Sequence, residues 1–152
     1  ASVVLHTFRQ VEATGAMKLF RSHRPDFKDG HQTRDFVHVE DVCEVLLHFM
    51  HHRIPGHSGL YNLGSGKGRT FLDLVHATFK AMKKPPRISF IDTPEDIRDT
   101  YQYFTEADLS KLRAAGYTNP FRSLESGIED YVRHHLINQA RRVPQAASAG
   151  SS

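Results

Sequence analysis

Short apolar stretches alternate along this chain with segments whose apolar residues recur at helical spacing, and this alternation limits the fold more than any other feature. Strands are predicted at 17–20, 35–39, 60–63 and 87–91. The clearest helix is predicted over 40–52, with a stripe expected to face the core: Val42, Val45, Leu46, Phe49 and Met50. Because strands that alternate with helices pair in parallel, the sequence predicts an α/β fold.

Polar residues and glycines mark the expected helix ends. A first helix is expected to be already running at Ala1 and to close at Gly15 in a left-handed cap. The dipeptide Pro85-Pro86 stops a later helix before the strand at 87–91. The residues predicted to cap helix N-termini are Asp41, Thr70 with Asp73, Thr105 with Asp108, and Ser123.

Length and composition indicate one domain. A chain of 152 residues can bury a single modest core, which we place in residues 1–142. The Ala-, Ser- and Gly-containing stretch 143–152 is expected to be a disordered tail. Acidic and basic residues alternate and no run is long and apolar enough to span a bilayer, so we expect a cytoplasmic protein without a nucleic-acid or membrane partner. Cys43 is the only cysteine and is predicted to be a buried thiol.

The glycine-rich loop at 64–68 suggests two roles. It reads Gly-Ser-Gly-Lys-Gly between a predicted strand and a predicted helix, a place where backbone amides can cradle a phosphate. Its spacing matches neither G-x-G-x-x-G nor G-x-x-x-x-G-K-[ST], which favours a structural turn. Lys67 could contact a substrate in either case.

Three further features each allow a functional and a structural interpretation. Arg34 beside Asp35 could clamp an anion or form an ordinary surface pair. Tyr101 could stack on a ligand or fill the core. A cluster within about one helical turn is interpreted as a surface feature rather than a metal site: His48, His51 and His52.

Three motifs carry a resemblance to a known family. They are Arg-Asp-Phe-Val-His-Val-Glu-Asp-Val at 34–42, Tyr-Asn-Leu-Gly-Ser-Gly at 61–66, and Phe-Thr-Glu-Ala-Asp-Leu-Ser-Lys-Leu-Arg-Ala-Ala-Gly-Tyr at 104–117. Together they resemble the ADP-L-glycero-D-manno-heptose 6-epimerase family, nucleotide-sugar epimerases of the extended short-chain dehydrogenase type. The first two motifs are shared across that superfamily, and the third is narrower. The resemblance implies the carboxy-terminal, substrate-binding part of a Rossmann-type fold whose amino-terminal cofactor half is missing.

The resemblance also implies a set of substrate-binding residues. Those expected to line the sugar nucleotide are His6, Phe20, Arg21, Ser22, His23, Arg34 and Tyr101. Arg34 becomes the expected diphosphate clamp, and Tyr101 becomes an expected substrate contact. No catalytic, cofactor-binding or metal-binding residue is expected in this segment.

The family's reaction implies NADP and a partner domain. The inverted heptose carbon has no neighbouring carbonyl to acidify its C–H, so the family passes hydride to NADP and back through a transient ketone. In this class a Tyr-x-x-x-Lys pair handles the protons of the reaction. No tyrosine in this sequence is followed four residues later by lysine, and no dinucleotide-binding fingerprint is present. We therefore expect an ADP-sugar substrate, the amino-terminal Rossmann half and a homo-oligomer as partners, a role in lipopolysaccharide-core precursor synthesis, and no turnover by the segment alone.

Two alternatives remain open from the sequence. The chain could be the substrate domain of another nucleotide-sugar epimerase or dehydratase, since those enzymes share the broad motifs. It could also be a module that binds a nucleotide-sugar without transforming it.

Overall fold

Parallel pairing of two distant strands organises the main layer. The structure, a computed structural model, describes residues 2–52, 58–98 and 100–142. Strand β1 (Met17–Phe20) pairs in parallel with β4 (Ile88–Ile91), in the register Met17 to Ile88 and Phe20 to Ile91. The expected parallel component is therefore confirmed.

The remaining elements surround that pair or form a second, smaller layer. In chain order they are α1 (Val3–Thr14), β2 (Thr33–Asp35), α2 (Val39–His51), β3 (Gly68–Thr70), α3 (Phe71–Ala81), α4 (Glu95–Arg98), α5 (Ser110–Ala114), α6 (Leu124–Asp130), a π-helical turn (Tyr131–Leu136) and α7 (Ile137–Arg142). No helix in these described ranges has both the length and the apolarity to cross a membrane.

Two apolar clusters hold the elements together. The larger joins α1, α3, the β1–β4 pair, α6 and the π-helical turn, and its centre includes Val11, Leu74 and Phe79. The smaller holds α2 against α5 through Val45 and Leu112. The core of the described chain thus lies mainly on α3, while α2 is secured by a cluster of its own.

Helix α1 begins within the chain. The Ser2 backbone is extended and its hydroxyl accepts a hydrogen bond from the Leu5 amide at 3.4 Å, so the helix starts at Val3. The expectation that a helix already runs at Ala1 is wrong, because the local cap at Ser2 starts it. Gly15 closes it with φ 70°, and that prediction is confirmed.

Two predicted strands differ from the structure. Strand β2 ends at Asp35 rather than at 39, because its antiparallel partner β3 supplies only three residues and His38 then caps α2. Residues 60–63 form no strand, since no other described strand lies alongside them. Instead the Lys111 ammonium donates to the Leu60 carbonyl at 2.7 Å.

Two of the predicted helix N-caps are confirmed, and one caps no helix. The capping box of Thr70 with Asp73 is confirmed, and so is the Ser123 cap, whose hydroxyl accepts from the Ser126 amide at 3.1 Å. Thr105 caps no helix, because its amide donates to the Thr33 carbonyl at 3.2 Å beside β2, and α5 begins only at Ser110.

For helix α2, the structure differs from the sequence predictions in the N-cap and in which residues are buried. Asp41 is not its N-cap. Asp41 is 2% exposed and accepts a hydrogen bond from the Arg122 amide at 3.0 Å, while His38 caps the helix. Leu46 and Met50, predicted to face the core, are 57% and 70% exposed. Cys43, predicted to be buried, is exposed as well.

Candidate functional site

The Arg34 guanidinium lies close to two aromatic rings. Arg34 lies on strand β2, and its guanidinium carbon Cζ is 5.6 Å from the centroid of the Phe71 ring and 5.8 Å from that of the Tyr101 ring. Its side chain donates to the Thr33 carbonyl at 2.9 Å and to the Gln102 carbonyl. A guanidinium has five N–H donors, so this fixed cation keeps donors for a ligand.

Phe20 and Tyr101 complete the cluster. Phe20 ends β1, and its ring meets the Tyr101 ring edge-on with centroids 6.2 Å apart. Burial raises the pKa of the Tyr101 hydroxyl, and the positive charge of Arg34 opposes that rise. Tyr101 therefore carries its proton at neutral pH and can donate a hydrogen bond. We call Phe20, Arg34, Phe71 and Tyr101 the aromatic–arginine cluster.

The loop that follows β1 is tied to this cluster through Tyr103. The Tyr103 ring lies 5.5 Å from that of Tyr101, and its hydroxyl accepts from the His23 amide at 3.0 Å. The His23 ring nitrogen Nε2 accepts from the Thr93 amide at 3.2 Å. The loop is thereby held beside the cluster by contacts from 93 and 103.

Arg21 and Ser22 are used differently from the cluster residues. The Arg21 side chain is exposed and approaches the Asp92 carboxylate at 3.9 Å. The Ser22 amide donates to the Asp29 carboxylate at 2.7 Å, and its hydroxyl donates to the Arg24 carbonyl at 3.0 Å. Both residues therefore shape the loop through their own contacts.

His6 stands apart from the other predicted site residues. It lies exposed on α1. Among the contacts of the described residues, none joins its side chain to Phe20, Arg34 or Tyr101. Of the seven predicted residues, the structure brings together Phe20, Arg34 and Tyr101, places His23 next to them, and leaves His6 apart.

The glycine-rich loop binds a carboxylate of the protein itself. The Ser65 amide and hydroxyl each donate to Asp35 Oδ1 at 2.6 Å, and the Gly66 and Ala107 amides each donate to Oδ2 at 2.9 Å. Gly66 has φ 71°, the left-handed region that glycine adopts readily. Because the loop amides are already engaged, the structure supports the structural-turn interpretation.

The histidine cluster on α2 also forms internal contacts. The His48 and His52 rings stack with centroids 4.7 Å apart, and His48 Nε2 lies 3.5 Å from the Ala115 carbonyl. Within the described ranges, no group of three or more potential metal-ligating side chains is close enough to hold an ion.

Sequence reasoning missed two residues of this region. Phe71 carries one wall of the Arg34 site, yet it reads only as the first residue of a helix. Tyr103 orders the loop, and its spacing of two from Tyr101 was the available signal, since alternate residues of an extended segment share a face. A fixed cation beside aromatic rings suits a ligand that combines a planar ring with anionic oxygens.

Comparisons with known proteins agree with the motifs. Residues 2–64 match the model of the NAD dependent epimerase/dehydratase family. Over 145 residues the chain is 43% identical to an ADP-L-glycero-D-manno-heptose-6-epimerase of Fusobacterium nucleatum, covering 91% of this chain and 43% of that protein. Over 135 residues it is 47% identical to the enzyme of the same name from Nitratidesulfovibrio vulgaris, covering 89% and 41%.

The fold agrees with a solved enzyme of the same name. The Helicobacter pylori ADP-L-glycero-D-manno-heptose-6-epimerase superposes with a TM-score of 0.68 at 30% identity, covering 88% of this chain and 37% of that one. The α/β architecture is therefore that of part of a Rossmann-type, extended short-chain dehydrogenase fold, as predicted. The resemblance is confirmed: the chain is homologous to a segment of the ADP-L-glycero-D-manno-heptose-6-epimerases and spans 41–43% of the length of the relatives it matches.

Proposed function

We propose that this chain is the carboxy-terminal, sugar-nucleotide-binding portion of an ADP-L-glycero-D-manno-heptose 6-epimerase. The observation that carries the proposal is the aromatic–arginine cluster, in which Arg34 lies 5.8 Å from the Tyr101 ring beside Phe20. This cluster joins the predicted residues best anchored by their strands. It offers a positive charge and aromatic walls, which match a nucleotide diphosphate.

Each residue of the cluster has a separate role in binding. The Arg34 guanidinium clamps the diphosphate, because two of its donors are fixed on backbone carbonyls and the rest of the fork can meet anionic oxygens. Tyr101 donates from a protonated hydroxyl, since burial raises its pKa. Phe20 supports the Tyr101 ring edge-on. His23 and Ser22 shape the adjoining loop, Arg21 lies exposed at its start, and His6 is assigned from the resemblance alone.

Cofactor binding belongs to the remainder of the protein. The one glycine-rich cradle among the described residues has its amides on the Asp35 carboxylate, so it does not fit a cofactor pyrophosphate. NADP is therefore assigned to the amino-terminal Rossmann half, and no hydride step involves the residues described above. The sequence also lacks the Tyr-x-x-x-Lys pair that handles protons in this class, so the segment by itself should show no epimerase turnover.

The cellular setting follows from the same proposal. A protein of this kind would act in the cytoplasm on an ADP-heptose precursor of the lipopolysaccharide core, as part of a homo-oligomer. Two other functions remain: a substrate domain for another nucleotide-sugar, or a binding module without catalysis. The base and sugar of the preferred ligand would identify a substrate domain for another nucleotide-sugar. Turnover by the complete protein would exclude a binding module without catalysis.

The test uses an assembled enzyme. The segment of the Nitratidesulfovibrio vulgaris relative that matches this chain is replaced by the chain, and binding of ADP-heptose is measured by calorimetry beside GDP-, UDP- and dTDP-sugars. Arg34→Ala should weaken ADP-heptose binding by roughly tenfold to a hundredfold, because truncating one partner of a charge-assisted pair leaves the diphosphate poorly compensated.

The matched control is Arg87→Ala, since Arg87 is an exposed arginine next to β4. It should leave ADP-heptose affinity unchanged. Equal affinities for Arg34→Ala and the unmodified chimera would contradict the clamp. Preference for a different nucleotide-sugar would replace the assigned substrate.

A further inference from the structure

One buried side chain next to the aromatic–arginine cluster has an unused hydrogen-bond donor. Gln32, the residue before β2, is 1% exposed, and its amide nitrogen Nε2 has no hydrogen-bond partner in the part of the chain that the structure describes. Leaving a buried N–H unpaired costs stability, because the group has lost its hydrogen bonds to water and gained none in return. Most buried polar groups in folded proteins are paired, so this donor requires an explanation.

The other unpaired buried side-chain atom of the described ranges lies elsewhere. It is the hydroxyl of Tyr117. Tyr117 belongs to the smaller apolar cluster with Val45 and Leu112, and its described ring contacts are with His48 and Phe121. None of these residues belongs to the candidate site. Among the described residues, Gln32 is therefore the unpaired donor to consider together with that site.

Backbone hydrogen bonds place Gln32 between two segments that carry aromatic rings of the site region. Strand β2 pairs with β3 in the antiparallel register Thr33 to Thr70, and the Phe71 amide donates to the Gln32 carbonyl at 3.1 Å. Gln32 therefore lies opposite Phe71, one step beyond the paired residues. On the other side, the Thr33 amide donates to the Tyr103 carbonyl at 2.8 Å, so the backbone at 32–33 runs alongside Tyr103.

Gln32 shares a face of this strand with Arg34. Alternate residues of an extended segment project to the same side and are about 6–7 Å apart along the strand. Arg34 faces the Phe71 ring, whose centroid is 5.6 Å from the guanidinium carbon. Asp35 projects to the opposite side, where it meets the glycine-rich loop. The unpaired donor and the candidate diphosphate clamp thus belong to one surface.

The two residues suit different parts of a nucleotide. Arg34 is a cation, which matches anionic phosphate oxygens. Gln32 is uncharged and lies next to the Phe71 and Tyr103 positions, whose rings favour stacking with a planar base. A carboxamide also matches the edge of adenine, because it can donate to a ring nitrogen and accept from the exocyclic amine.

A side-chain rotation is enough to bring the donor to a ligand. Gln32 directly follows the loop at 21–31, which rests on Tyr103 through two residues. The Phe27 ring centroid and the Arg24 guanidinium carbon each lie 5.2 Å from the Tyr103 ring centroid. A glutamine side chain has three rotatable bonds, and rotamer changes are common when a binding site is filled.

We propose that Gln32 recognises the base of the sugar nucleotide: its carboxamide N–H donates to an acceptor on the edge of the nucleobase, which in an ADP-sugar is a ring nitrogen of adenine. The inference rests on the proposed function, because it takes the ligand to be a nucleoside diphosphate sugar. It adds a residue outside the set that the family resemblance implied. The donor left unpaired in the free chain is then satisfied when the ligand binds.

The substitution Gln32→Met separates base recognition from phosphate binding, because methionine has nearly the same size and carries no amide. Calorimetry on the chimera with the Nitratidesulfovibrio vulgaris enzyme compares ADP with inorganic pyrophosphate. Gln32→Met should weaken ADP binding roughly threefold to tenfold, the net value of one hydrogen bond, and leave pyrophosphate binding unchanged. Arg34→Ala should weaken the binding of both ligands. The same titrations on the 152-residue chain make the test independent of the folding of the chimera.

Stability provides a second measurement, which a structural role would move and a binding role would not. In urea, the unfolding midpoint of Gln32→Met should equal or exceed that of the unmodified chain, because the variant loses an unpaired donor without opening a cavity. A lower midpoint with unchanged ADP affinity would identify a structural hydrogen bond, for example to a buried water, and overturn the proposal. If only the midpoint of the chimera falls, with ADP affinity unchanged, the acceptor lies in the remaining part of the protein, which also overturns the proposal.

The matched control is Gln139→Met, the same substitution at an exposed glutamine of α7. It should change neither the affinity for ADP or pyrophosphate nor the urea midpoint. Equal losses of ADP and pyrophosphate affinity in Gln32→Met would mean that the substitution acts on the phosphate clamp. That result would overturn the assignment of Gln32 to the base.

Failure of this proposal and failure of the proposed function give different results. A chimera that binds ADP-heptose equally well with and without Gln32→Met keeps the proposed function and loses the base contact. A chimera that prefers a GDP-, UDP- or dTDP-sugar loses the assigned substrate. In that case a Gln32→Met effect on the preferred nucleotide, without one on pyrophosphate, still supports base recognition by Gln32.

Discussion

Asp35 takes the place that an anionic ligand would occupy in a glycine-rich loop. Its carboxylate accepts four hydrogen bonds, from the Ser65 amide and hydroxyl and from the Gly66 and Ala107 amides. The same carboxylate therefore joins β2, the glycine-rich loop and the segment before α5. Because β2 also carries Arg34, Asp35 fixes the strand that presents the candidate clamp.

Asp35→Ala should lower the free energy of unfolding by roughly 2–4 kcal/mol, because it leaves the donors of the loop without their charged acceptor. Asp35→Asn retains one acceptor oxygen and should cost less. Urea unfolding followed by circular dichroism measures both values. Glu95→Ala, which removes a carboxylate that is 90% exposed, serves as the control and should stay within about 0.5 kcal/mol of the unmodified chain. An Asp35→Ala effect no larger than that of the control would contradict this role.

The role of a single residue could be predicted where its chemistry or the family resemblance constrained it. It could not be predicted where the role depends on a contact with a residue that is distant in the sequence. Arg34 and Tyr101 were named from the sequence and lie together. Asp41 was assigned to a cap because the sequence cannot show that Arg122 reaches it from 81 positions away. Cys43 was placed in the core because residue type alone does not reveal which of two apolar faces is covered.

At the scale of elements, a charged pair connects the short second sheet to the larger cluster. Arg69 on β3 meets Glu125 in the first turn of α6, with a shortest distance of 2.6 Å from Nη2 to Oε1 and a second contact of 3.3 Å from Nη1 to Oε2. The hydrogen bond from Arg69 lowers the pKa of the Glu125 carboxyl below its ordinary value. A lowered pKa in the folded state means that folding favours the charged form.

The lowered pKa of Glu125 determines how the free energy of unfolding depends on pH. The stabilisation is present above the ordinary glutamate pKa of 4.5 and is lost as the pH falls through the lower pKa of the folded state. Glu125→Gln should therefore flatten the acid side of the stability curve and leave its slope near pH 7 unchanged. The effect should be modest, because the Glu125 side chain is 50% exposed. Urea midpoints between about pH 3 and pH 7 measure it, with Glu95→Gln as the matched exposed variant. Parallel curves for Glu125→Gln and the unmodified chain would contradict the pairing.

The helix starts that were predicted correctly have caps that form within a few consecutive residues. A capping box such as Thr70 with Asp73 forms within four consecutive residues, so the sequence contains all that it needs. A strand needs a partner, and the partner sets its length. Strand β2 stops with the three residues of β3, and residues 60–63 have no neighbouring strand in the described ranges. The overall α/β class followed from periodicity, whereas these pairings did not.

At the scale of the whole molecule, a buried leucine and an exposed leucine distinguish the core of the described chain from its surface. Leu74 is 1% exposed in the larger cluster, between elements that all lie within this chain. Leu46 is 57% exposed on α2. The two leucines therefore give a matched pair of substitutions, one in the core and one at the surface.

Leu74→Ala should cost roughly 2–5 kcal/mol in the chain alone and a similar amount in the chimera, because it opens a cavity in a core that is complete in both. Leu46→Ala should change the chain alone by less than about 1 kcal/mol, since the side chain is already largely hydrated. Urea unfolding of the variant proteins and their parents measures these differences. An equal cost for Leu46→Ala and Leu74→Ala in the chain alone would contradict the assignment of Leu74 to a complete core.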